Sequence, residues 1–219
     1  MRTISKALLC ATTIALLGGS GVAAQASDGW TAADLAQFRT NMTDAGIDRA
    51  TQDVLENKLR SQQLLDSMRD VAPIRTFTED SPTTHRTVSV YPDGSRSWTE
   101  AEVAASADES SKSRSAVTKC GTSGAWRVNC RVDISDLVSS AWFVVDYKAA
   151  APSQVRDFRG AGCQILGGSC TVSGKIERAT QNGAGPAWAY LNYSVYTWSQ
   201  ISASGQFGIR VANGSLSTY

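Results

Sequence analysis

A chain of 219 residues with 21 Lys+Arg against 20 Asp+Glu carries almost no net charge, and its basic residues are scattered and not clustered with stacking aromatics, so a nucleic-acid partner is not expected. A hydrophobic share of 42% suits a chain that folds around an apolar core and excludes a disordered polar one. With one histidine, and five cysteines that form no Cys-x2-Cys pair, a zinc site is not expected, and no motif calls for a cofactor.

Residues 1–26 have the form of a secretory signal peptide. Arg2 and Lys6 supply a positive start, and Ala7 to Leu17 is an apolar run too short to span a bilayer. Ala24-Gln25-Ala26 then offers a small-x-small cleavage site. Cys10 lies inside the run and not at its end, where a lipid-modified cysteine would sit. No later segment reaches membrane-spanning length, so a soluble, exported protein is expected. In that oxidising setting Cys120, Cys130, Cys163 and Cys170 should form two disulfides. The local pairing, Cys120–Cys130 and Cys163–Cys170, is favoured among three, because each bond would close a small loop rich in Gly and Ser.

The charge is uneven: residues 27–116 hold 10 Lys+Arg against 15 Asp+Glu, and residues 117–219 hold 9 against 5. Excesses of this size on exposed side chains are ordinary and are screened by salt. The first helix opens at Trp30. Thr31 is its N-cap, Asp34 completes a capping box, and Trp30 and Leu35 can form a hydrophobic staple. Leu35, Phe38 and Met42 make one apolar stripe, and Gly46 ends the helix in a left-handed conformation. Asp48 caps a second helix with Val54, Leu55 and Leu59 inward, and Leu64, Leu65 and Met68 continuing the apolar face. Pro73 stops the helical region. Strands are predicted at 74–77, 84–91 and 95–102, with Tyr91-Pro-Asp-Gly-Ser95 as the turn between the last two. Residues 104–116 are small and polar and read as a linker.

Phe38-Arg-Thr-Asn-Met42, Ala50 to Leu59, Leu64-Leu-Asp-Ser-Met68 and Tyr91-Pro-Asp-Gly-Ser95 together carry a resemblance. Over about residues 31–98 the chain resembles a family of uncharacterised secreted proteins of actinobacterial type. The resemblance implies export and a helical hairpin joined to a small β-hairpin. It implies no activity, cofactor or catalytic residue.

From Val117 the pattern becomes alternating. Strands are predicted at 126–134, 141–148, 154–158, 171–178, 188–198 and 207–211, separated by Gly and Ser turns. The expected fold is therefore α+β and mostly β. A signal peptide (1–26), a helical-hairpin and β-hairpin module (27–103) and a linker (104–116) precede an antiparallel β-sandwich with two disulfides (117–219).

The strand from Trp188 to Trp198 is the densest aromatic run. Its odd positions, Ala189, Leu191, Tyr193, Val195 and Thr197, form one face, and its even positions place Trp188, Tyr190, Tyr196 and Trp198 on the other. Those four rings either fill a second buried layer or form a platform for an extracellular glycan, a cell-wall polymer or a protein partner. Three rival sites stand beside this face. Ile165 and Leu166 in the Cys163–Cys170 loop could enter a protease cleft as an inhibitor's loop does. Asp133, Asp146, Asp157 and Glu177 could supply a glycoside hydrolase pair. His85 lacks a nucleophile elbow and reads as an ordinary strand residue. A non-enzymatic binding protein is the expected function.

Overall fold

A computed structural model describes residues 30–103, 120–197 and 202–219. The expected signal peptide (1–26), the expected linker (104–116) and Trp198 lie outside the described residues.

Helix α1 (Ala32–Asp44) begins as its cap residues dictate: Thr31 Oγ1 accepts from the Asp34 N–H at 3.1 Å, and Asp34 Oδ2 accepts from the Thr31 N–H at 3.1 Å. Trp30 packs its ring 5.8 Å from that of Phe38. Gly46 takes φ +68° and turns the chain into α2 (Arg49–Arg60), whose cap Asp48 accepts from the Thr51 N–H. Leu55 and Leu59 are buried there as expected, but Val54 is 59% exposed. Helical phase explains the difference: the inward stripe is Gln52, Leu55, Glu56 and Leu59, and Val54 stands about 150° from the centre of that stripe. Glu56 tolerates this position because Arg39 Nε and Arg60 Nη2 contact it at 2.5 and 2.7 Å. Burial pushes its carboxyl pKa up, but the Arg60 and Arg39 guanidiniums outweigh burial and hold it below the usual range.

The Pro-Asp-Gly turn anchors the helices to the strands. Asp93 accepts from Lys58 Nζ at 2.7 Å, from the Asp66 N–H at 2.8 Å and from the Ser95 N–H at 2.9 Å. Gly94, at φ +85°, has Thr51 of α2 so close that an added Cβ would lie 2.5 Å from its methyl carbon.

Strands β1 (Arg75–Asp80), β2 (Thr84–Val90) and β3 (Arg96–Glu102) form a meander. It continues antiparallel through β5 (Trp126–Asp136), β6 (Ser139–Lys148) and β7 (Gln154–Ile165), with the short β4 (Gly121–Ser123) beside β5. Together they make a seven-stranded sheet. The remaining strands, β8 (Gly168–Arg178), β9 (Ala187–Thr197), β10 (Ser202–Ala212) and β11 (Ser215–Thr218), make a four-stranded antiparallel sheet in the order β11-β10-β9-β8. The larger sheet crosses the expected domain boundary. Ser97 to Ala101 of β3 pair with Asp136 to Val132 of β5, so the N-terminal β-hairpin is continuous with the C-terminal strands instead of standing alone. Three strands bury little by themselves, and Ala101 completes the apolar surface around Val132.

One buried cluster joins the two sheets: Val132, Phe143 and Val145 from the larger, Leu191, Phe207 and Ile209 from the smaller. A second lies under the helices, where Phe38, Met42 and Leu55 meet Leu137, Val138 and Val195. Both expected disulfides are present and suit a non-cytoplasmic compartment. Cys163 lies in β7 and Cys170 in β8, so that bond staples one sheet to the other. No described helix is long and apolar enough to cross a membrane.

Candidate functional site

The four-stranded sheet turns one face to the core and the other outward. Along β9, Ala187, Ala189, Leu191 and Val195 are buried, while Trp188, Tyr190 and Tyr196 occupy the opposite face. Tyr196 is 47% exposed; Trp188 and Tyr190 are half-buried against each other, with ring centroids 5.3 Å apart. The fourth expected ring, Trp198, falls outside the described residues.

Tyr219, which no sequence pattern suggested, adds another ring. Its backbone exchanges hydrogen bonds with Gly208 of β10, and its ring centroid lies 6.3 Å from that of Trp188. Gly208 stands opposite Tyr190, and a Cβ there would lie 2.9 Å from the Tyr219 hydroxyl oxygen. The missing side chain is the space in which Tyr219 lies. The guanidinium of Arg210 covers the Tyr219 ring at 4.2 Å, where the ring quadrupole attracts it. Burial raises the Tyr219 pKa, with Arg210 opposing. Lys175 stands across from Tyr190 and pairs with Glu177 at 2.8 Å; that hydrogen bond raises the Lys175 pKa.

Between this cluster and Tyr196 the face is hydroxyl and amide. Ser169, Thr171 and Ser173 of β8 stand opposite Tyr196, Ser194 and Asn192, and Ser202, Ser204 and Gln206 of β10 flank the same three residues. Gln206 donates to Asn192 Oδ1 at 2.9 Å. Tyr196 lies six positions beyond Tyr190, about 20 Å along the strand. The surface is thus a shallow polar track with rings at each end. It offers stacking surfaces and many neutral hydrogen-bonding groups, with the Lys175–Glu177 pair at the Trp188 end.

The rival sites look different in three dimensions. Ile165 and Leu166 are half-buried: they pack against the cluster under the helices, and the Leu166 N–H donates to Val138 O at 2.9 Å. Each of the four carboxylates meets a cation: Asp133 with Arg131 at 2.6 Å, Asp146 with Arg159 at 2.9 Å, Asp157 with Arg156 at 3.2 Å, and Glu177 with Lys175. Burial raises the Asp133 pKa, and Arg131 opposes it. His85 Nδ1 contacts Asp80 Oδ1 at 2.6 Å on the β1–β2 hairpin.

A cleft of about 650 Å³ runs between α1 and the outer face of the seven-stranded sheet, lined by Gln37, Asn41, Arg86, Trp98, Asp136 and Gln164 among others. None of the four candidate carboxylates lines it. Asp136 accepts from the Val138 and Ser139 N–H groups, both at 2.7 Å, and from the Ser139 hydroxyl at 2.9 Å. Burial raises its pKa against those three bonds. Among the described residues no group of three or more His, Cys, Asp or Glu is placed to hold a metal ion. No family model, curated protein or solved structure matches this chain.

Proposed function

We propose that this is an exported, disulfide-stabilised binding protein of the cell envelope or extracellular space. On this reading it holds a glycan or cell-wall polymer on the outer face of the four-stranded sheet. We infer, further, that the two sheets stand as a β-sandwich with the helical hairpin closing one end, that residues 1–26 are removed on export, and that the chain is kin to the secreted proteins of actinobacterial type that it resembles.

The observation that carries the reading is the direction of the aromatic face. Trp188, Tyr190 and Tyr196 lie on the solvent side of β9, joined by Tyr219. Flat rings on a rigid strand stack on the apolar faces of sugar rings, and the Ser, Thr, Asn and Gln side chains between them match the hydroxyls of a polysaccharide.

The test is retention of the purified protein on insoluble glycans and isolated cell wall at low and high salt. Trp188→Ala, Tyr196→Ala and Tyr219→Ala run alongside, with circular dichroism to verify folding. Salt-resistant retention that is lost in folded ring variants is the expected result. Retention abolished by salt alone, or unchanged when all three rings are removed, would overturn it.

A further inference from the structure

We propose that the protein self-associates through the free edge of β1. Two copies pair antiparallel there, so that their seven-stranded sheets run on into one another.

Strand β1 ends its sheet, and no described residue pairs with its outer edge. Five of its six residues are exposed and Phe77 is half-buried. Ile74, just ahead of it, is 68% exposed. Edges are commonly guarded by charged residues, lysine above all, or by proline; β1 contains neither lysine nor proline, and its charged residues, Arg75, Glu79 and Asp80, are of both signs.

The hydrogen-bond parity of the edge follows from the hairpin. The Ser81 N–H donates to Thr84 O at 2.9 Å, closing the β1–β2 turn. Counting back along the ladder, the N–H groups of Glu79 and Phe77 turn toward β2, and those of Thr78 and Thr76 toward the free edge. When a second copy docks antiparallel, Thr76 of each takes the hydrogen-bonded position opposite Thr78 of the other. Phe77 then falls on the two-fold axis, opposite Phe77 of the second copy, at the non-hydrogen-bonded position where side chains approach most closely. Arg75 of each copy meets Glu79 of the other.

The segment Arg75-Thr-Phe-Thr-Glu79 is symmetric in side-chain type about Phe77 and opposite in charge at its two ends, as an isologous contact requires. Sliding the pairing so that Thr78 sits on the axis would set Phe77 against Glu79 and Arg75 against Ser81, and lose both ion pairs. Arg75 is available: its guanidinium lies 4.8 Å from the Phe77 ring centroid, and among the described residues it has no carboxylate partner. Glu79 touches Arg86 only at 3.8 Å. A contact of one short strand is small, so the association is weak and reversible. It does not depend on the glycan reading, since β1 belongs to the other sheet.

Sedimentation equilibrium of the purified chain over a concentration series tests this. The variants are Arg75→Glu, Glu79→Arg, the two together, and Thr78→Pro, which removes an edge N–H that β2 does not use. Wild type should form a concentration-dependent dimer. Each single charge reversal should weaken it about tenfold, because two attractive cross-strand pairs become two repulsive ones. The double reversal should restore it, and Thr78→Pro should be monomeric. A wild type that stays monomeric throughout, a dimer that no variant weakens, or a double reversal no better than the singles would overturn the proposal. The charge reversals decide the matter even if Thr78→Pro proves unfolded.

Discussion

Replacing Asp93 by alanine should be among the most damaging single changes outside the core. The Asp93 side chain is only 10% exposed, and it receives Lys58 Nζ and the backbone N–H groups of Asp66 and Ser95. Hydrogen bonds to a charged group contribute about 1.5–3 kcal/mol each, and solvent at the edge of the site reduces that. Lys58 keeps Asp66 at 2.8 Å after the change, so its charge is not stranded, but two backbone donors lose their acceptor. The expected cost is about 3 kcal/mol, or roughly 6–12 °C in Tm for a chain of this size. Lys58→Met should cost less, because the carboxylate keeps both backbone donors. Thermal and denaturant unfolding of Asp93→Ala, Lys58→Met and the double variant would measure the coupling between the two residues. The acid limb supplies a second readout. Burial pushes the Asp93 pKa up, yet Lys58, Ser95 and the Asp66 N–H outweigh it and hold the carboxyl below its usual value. Its contribution is therefore full above about pH 4, the unfolded value, and lost as pH falls through the lower folded one. Asp93→Asn should flatten that loss. A cost for Asp93→Ala no larger than that of Asp53→Ala, whose side chain is 52% exposed, would refute the reasoning.

The same logic gives three further expectations. Changing Cys163 and Cys170 to serine frees an eight-residue loop and should cost about 2.5 kcal/mol by loop entropy, read as a lower denaturant midpoint. Leu55→Ala should cost about 2–5 kcal/mol, while Val54→Ser, one residue away, should stay within about 0.5 kcal/mol. Tyr193 is raised to about 12, by burial first and then by Asp136 and Tyr91. Spectrophotometric titration should therefore find a tyrosine that ionises near there, and stability should fall as pH climbs from about 10, the unfolded value, toward that point.

Much of the architecture could be read from local chemistry. The helix caps, the Pro-Asp-Gly turn, the two disulfides and the alternation of β9 are each written within about ten residues. What escaped reading is non-local or irregular. From Asp157 onward β7 breaks its alternation, because Asp157 and Gly160 take positive φ and the ladder to β6 slips twice. The first half of β10, Ser-Ala-Ser-Gly-Gln, has almost no apolar signal, because its outer positions belong to the polar track. Pairing of β3 with β5 leaves no local trace at all. The even-numbered rings of β9 were legible as a face, though not which side the face would take. Tyr219 was invisible because β11 is four residues long and its placement depends on the absence of a side chain at Gly208.

The pairing of β3 with β5 also bears on what happens when the backbone is cut. Residues 104–119 connect the two strands in sequence, but Ser97 to Ala101 and their partners hold them together in space. Below the sheet, Asn41 Nδ2 donates to Leu137 O at 2.9 Å, and Phe38 and Met42 share a cluster with Leu137, Val138 and Val195. A single proteolytic nick between Val103 and Cys120 would thus divide the chain into two polypeptides without dividing the fold. The fragments should co-elute until denatured and should reconstitute when mixed.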